Sequence, residues 1–182
     1  MAFLRKTNME PLPVVMSGVQ MGERVLQIGI GDPSLAGVIA AKVGLSGHAA
    51  VAVNDDRTAA RARAAAATAG VLVDVQVTPL DSLPFTGDSF DVIVLHAGVD
   101  ALPPLEGAPA VAMLRESHRV LRAGGRIVIL EGGRRRGVGA WFRNRQPAPH
   151  PGAAADALGA AGFRAARPLA EREGYRFTEG LK

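Results

Sequence analysis

The stretch Arg24-Val25-Leu26-Gln27-Ile28-Gly29-Ile30-Gly31-Asp32-Pro33 decides the architecture. Residues 24–30 form a short apolar run that closes on glycines, the pattern of a buried parallel strand ending in a tight turn. Asp32 then suits an N-cap, and Pro33 suits the first helical position, where a missing N–H is tolerated. Leu35, Val38, Ile39 and Val43 follow at helical spacing, and Gly44 ends the segment.

The alternation continues downstream. Residues 49–53 read as a second strand, and residues 57–69, rich in Ala and Arg, as a second helix stopped by Gly70. Residues 71–77 read as a third strand, residues 78–89 as a loop and residues 91–95 as a fourth strand. A helix over 109–122 and a fifth strand over 126–130 come next, the latter after Gly124-Gly125. Residues 132–152 break the rhythm with glycines, prolines and a basic cluster and read as a loop. A short helix over 153–161 and strand-like stretches near 163–168 and 174–178 close the chain. Strands alternating with helices of this length imply a doubly wound α/β domain with a parallel sheet. Residues 1–20 read as a short leader and residues 21–182 as one domain.

Composition narrows the function classes. The chain has 182 residues, 48% of them hydrophobic and 21% charged, which suits one folded domain and not a disordered chain. The absence of Cys excludes disulfides, thiolate metal sites and a cysteine nucleophile, and it fits a cytoplasmic location. No secretory signal is visible, and no segment approaches the roughly 20 apolar residues that span a bilayer. No metal-ligand cluster stands out in the sequence.

The turn Gly29-Ile30-Gly31 lies between a strand and a helix N-terminus, at the carboxyl edge where α/β sheets bind ligands. Two later segments are more specific. They are Leu83-Pro84-Phe85-Thr86-Gly87-Asp88-Ser89-Phe90-Asp91 and Arg115-Glu116-Ser117-His118-Arg119-Val120-Leu121-Arg122-Ala123-Gly124-Gly125-Arg126. With residues 25–31, and in this order, they resemble the class I S-adenosylmethionine-dependent methyltransferases, specifically the ubiquinone/menaquinone-biosynthesis group. The resemblance implies a Rossmann-like, doubly wound, mostly parallel sheet of about seven strands with helices on both faces and an antiparallel last strand. It also implies S-adenosyl-L-methionine as cofactor and a small-molecule acceptor, lipophilic or anionic. The alternative is a relative that keeps the fold as a binding or interaction module.

The resemblance carries over to Gln27, Gly29, Gly31, Asn54, Asp55, Leu80, Asp81 and His96 as cofactor-binding positions. Several departures accompany it. Gln27 stands where the family usually has an acid ending the first strand, Pro33 where it has a third glycine, and Asn54 where an acid holds the ribose, with Asp55 beside it. Pro79 stands where an acid commonly meets the adenine, and Asp81 follows two residues later. Gln27 and Asn54 keep hydrogen-bonding capacity and lose negative charge. The loop over residues 83–85 is expected to fold over the adenine with Phe90 beneath it, and Glu116 and Arg119 to pair along one helix face.

Two side chains are candidates for proton transfer from an acceptor. His96 follows the fourth strand at its carboxyl end, and Glu131 ends the fifth. The formal charge of +4 is uneven, since residues 115–145 hold nine Arg and two acids. Within them Arg134, Arg135 and Arg136 precede Trp141 and Phe142, a basic and aromatic loop suited to contact a substrate or an anionic membrane surface. Nucleic acid is a less favoured partner, because the basic residues form one loop and no known binding module.

Overall fold

Seven strands hydrogen-bond into one sheet around the strand quoted above. The computed structural model describes residues 10–98, 102, 105–132, 150 and 152–182. Strand β1 (Arg24–Ile28) is central, flanked by β2 (His48–Val53) and β4 (Phe90–Ala97). Beyond β2 lies β3 (Asp74–Val77), and beyond β4 come β5 (Leu121–Gly132), β7 (Tyr175–Leu181) and β6 (Arg164–Arg172). The order is β3-β2-β1-β4-β5-β7-β6, and β7 runs antiparallel to both of its neighbours. This is the Rossmann-like, mostly parallel sheet with an antiparallel last strand that the resemblance implies.

Side chains alternate across the sheet with period two. Leu26, Ile28, Ile93, Leu95, Ile127 and Ile129 face a core built with helices α4 (Gly107–Val120) and α5 (Ala153–Ala161). Val25, Val92, Val94, Val128 and Leu130 face the opposite side, against α1 (Leu12–Ser17) and α2 (Pro33–Val43). Helix α3 (Asp56–Ala69) covers Val51 and Val53 through Ala59 and Ala62. Gly37 of α2 lets α3 approach closely, since a Cβ there would stand 3.0 Å from the Ala65 carbonyl oxygen. Helix α2 begins as expected, with Asp32 as N-cap and Pro33 in the first turn.

Several elements differ in extent from the sequence reading. Residues 12–17, inside the stretch read as a leader, form α1, where Pro13 sits in the first turn and Val14 is fully buried. The third strand covers only Asp74–Val77 and not residues 71–73, because it is an edge strand paired with β2 alone. The first strand stops at Ile28, where Gly29 turns away. Strand β5 starts at Leu121, directly after α4, and β6 and β7 form a long hairpin closed by Glu173-Gly174, both at positive φ. A type I′ turn has this combination of conformations, which matches the right-handed twist of the paired strands. The loop read over 132–152 lies largely outside the described residues, and with it Arg134, Arg135, Arg136, Trp141 and Phe142. Among the described residues no helix is long and apolar enough to cross a membrane.

The hairpin turn presses on the end of β5. Gly132 has φ +92°, and a Cβ there would stand 2.5 Å from the Gly174 carbonyl oxygen. Gly132→Ala is therefore expected to destabilise the fold by about 2 kcal/mol, through backbone strain and overpacking together. An unchanged urea midpoint for this variant would contradict the account.

Candidate functional site

The carboxyl ends of β1, β2 and β4 converge on the glycine turn. Gly29 has φ +69°, its N–H donates to the Ala52 carbonyl at 2.9 Å, and a Cβ there would stand 3.1 Å from Leu102 Cγ. Only glycine meets both conditions without strain. Gly31 differs, since among the described residues no heavy atom lies within 4 Å of where its Cβ would be.

Gln27 and His96 are buried beneath this turn, on the α2 side of the sheet. The Gln27 carboxamide donates from Nε2 to the Ala36 carbonyl of α2 at 3.1 Å. Its Oε1 lies 3.2 Å from His96 Nε2 and can only accept, so the imidazole carries its proton on Nε2 and donates it. Burial pushes the His96 imidazole down to about 4, although the nearby Asp32 carboxylate opposes the shift. His96 is thus neutral near pH 7 and a weak base, occupied with Gln27.

The sign of the resulting pH dependence follows from this depression. An unfolded chain protonates His96 near 6.5, whereas the native chain resists protonation to about 4. Stability present above pH 6.5 is therefore lost as the pH falls toward 4, by up to about 3 kcal/mol from this residue. The pKa of His118 is also lowered, chiefly by burial, and acts in the same direction. Replacing His96 with Gln should flatten, without abolishing, the fall in urea midpoint between pH 6.5 and 5. Equal slopes for variant and parent would refute the assignment.

On the other face, a cleft of about 300 Å³ opens between the β2 and β3 ends and α4. Leu80, Leu102, Leu105, Ala110 and Met113 supply apolar walls, while Asn54 and Asp81 add an amide and a carboxylate. The loop after β3 is shaped by Thr78, whose hydroxyl donates to the Ser82 carbonyl at 3.0 Å. Leu83 and Phe85 pack into the core beside Phe90, with the Phe85 and Phe90 rings edge to face at 5.0 Å. Glu116 accepts from Leu83 N–H at 3.0 Å, and Arg119 donates to the Leu83 and Phe85 carbonyls. The pairing of Glu116 with Arg119 expected from their spacing is present at 2.8 Å and staples this loop to α4.

Asp55 is not among the residues lining the cleft. Its carboxylate accepts from the N–H and hydroxyl of Thr58, which hold it below the ordinary carboxylate range and make it the N-cap of α3. Glu131 sits at the carboxyl end of β5, mostly buried, and burial raises its pKa against the influence of Arg176 at 3.9 Å. Leu102, Leu105, Ala110, Met113 and Arg176 were not singled out from sequence, although Ala110 and Met113 follow the apolar spacing of their helix. Among the described residues no three metal-ligating side chains cluster.

Residues 26–129 match the family model described as a methyltransferase domain, and the chain belongs to that family. The ubiquinone/menaquinone biosynthesis C-methyltransferase of Ectopseudomonas mendocina is 34% identical over 120 residues, covering 65% of this chain and 45% of the relative. The counterpart in Idiomarina loihiensis is 32% identical over 117 residues, again covering 45% of the relative. The chain thus spans about half the length of the curated relatives it matches. The structure of an S-adenosylmethionine-dependent methyltransferase from Aquifex aeolicus shares the fold, with a TM-score of 0.70 and 17% identity over 92% of this chain and 86% of that one.

Proposed function

We propose that this chain is an S-adenosylmethionine-dependent methyltransferase acting on a small lipophilic or anionic acceptor. The observation that carries the reading is the cleft whose Leu102 wall packs against Gly29, and which combines apolar walls with one amide and one carboxylate at the sheet's carboxyl edge. That donor set fits the cofactor. Leu80, Leu102 and Met113 suit a flat base, Asn54 suits the ribose hydroxyls, Asp81 suits an exocyclic amine, and the open side of Gly31 admits a ligand close to the backbone. Asp55, held by Thr58, caps α3 beside it.

When bound, the cofactor supplies an electrophilic methyl group on sulfur, and transfer to a nucleophile is an in-line displacement governed by alignment. Proton removal from an acceptor falls to Glu131 in this reading, because burial raises its basicity whereas His96 is depressed and engaged. His96 and Gln27 instead hold the turn from below. The curated relatives are named for quinone biosynthesis, so phenolic and quinone-precursor acceptors are the first to assay. The competing reading, a binding module, draws on the neutral Gln27 and Asn54.

Isothermal titration with S-adenosylhomocysteine tests the reading. The parent chain should bind, Ala110→Trp should block the cleft, and Asn54→Ala should weaken binding about tenfold with melting temperature unchanged. An absence of binding at millimolar ligand by the folded parent would overturn the proposal. Binding without turnover on any acceptor would favour the binding module.

A further inference from the structure

The amino-acid end of an S-adenosyl ligand carries an α-ammonium beside its α-carboxylate, and the side chains beneath the glycine turn offer that ammonium no negative charge. Gln27 is neutral, fully buried and occupied by Ala36 and His96. His96 is also buried and donates its only N–H proton to Gln27. Asn54 is uncharged, and Asp55 is turned to the cap of α3. Asp32, the first residue after Gly31, is the exposed carboxylate on the turn itself. Both of its hydrogen bonds from Ser34, N–H at 2.9 Å and hydroxyl at 2.8 Å, fall on the same oxygen, Oδ1. Its charge also reaches both His96 on β4 and the Tyr175 phenol on β7, favouring the protonated form of each. By its place in the chain the carboxylate stands at the start of α2, one residue after Gly31 and four after the end of β1.

We propose that Asp32 recognises the amino group of the cofactor, with the Gln27 and His96 pair serving as positioning residues that hold the turn presenting it. The inference rests on the methyltransferase reading and extends it to a residue that combines two tasks. As N-cap, Asp32 accepts from Ser34, which Asn or Ser would do about as well. As a charge it is irreplaceable by either, because a charge-assisted bond to an ammonium is stronger than a neutral one. The two tasks are thus separable by substitution.

The experiment compares S-adenosylhomocysteine with 5′-methylthioadenosine, a thioether of the same nucleoside that lacks the amino-acid end. Affinities are measured by isothermal titration on the full chain and on Asp32→Asn and Asp32→Ser. For both variants, S-adenosylhomocysteine should bind about tenfold more weakly, 5′-methylthioadenosine should bind within about twofold of the parent, and the melting temperature should not move. Unchanged affinity for S-adenosylhomocysteine, or parallel weakening of both ligands, would overturn the role of Asp32. If the folded parent binds neither ligand, the methyltransferase reading fails and takes this inference with it, whereas parent binding with an indifferent variant removes the inference alone.

Discussion

Gly29 leaves the central strand with a left-handed backbone, beneath Leu102 and beside the carbonyl of His96, where any side chain would be both strained and crowded. The rest of the site depends on that constraint. The turn takes the chain from β1 into α2 within five residues, so the capped start of α2 sits over the carboxyl edge of the sheet. It also fixes the depth at which Gln27 and Ile28 end the strand, one facing α2 and the other facing α4.

The period of two in neighbouring parallel strands then divides the polar chemistry. Gln27 pairs in register with Val94, which places His96 on the same face two residues later. Those two polar side chains satisfy one another and the Ala36 carbonyl, so burying them costs little. On the opposite face the cleft is walled by apolar residues, with Asn54 and Asp81 as its polar partners. The amino ends of the strands are secured separately. Asp91 accepts from the Arg24 N–H at 2.7 Å and pairs with Arg122, contacts that outweigh partial burial and hold its carboxylate below the ordinary range. Arg126 ties β5 to α1 through the Gly18 carbonyl and to Glu23. The carboxylates of Asp32 and Asp81 at the carboxyl edge are thereby kept apart from the Asp91, Arg122 and Arg126 contacts at the amino ends of the strands.

Much of the fold was legible because its signals are local. The apolar run of residues 24–28, the capping pair Asp32-Pro33, and the glycines after α2, α3 and α5 each act within a few residues of themselves. Helix α1 was not legible, since six residues containing Pro13 have little helical tendency alone and are held by burial of Val14 and Ser17. Strand lengths are not legible in the sequence where pairing partners decide them, as in the β6–β7 hairpin and the short β3.

At the site, sequence alone determined which residue types lie near the turn, because glycine, cap and strand periodicity place Gln27, Asp32, Asn54 and His96 at the carboxyl edge. Tertiary structure alone decided what each does there. Asn54 and Asp55 are adjacent in sequence, yet one lines the cleft and the other caps a helix. His96 looked like a base by position, but its partner Gln27 is 69 residues away and its burial depends on elements from the whole chain. Protonation state and side-chain partnership are set by desolvation and by contacts distant in sequence, so they exist only once the chain has folded.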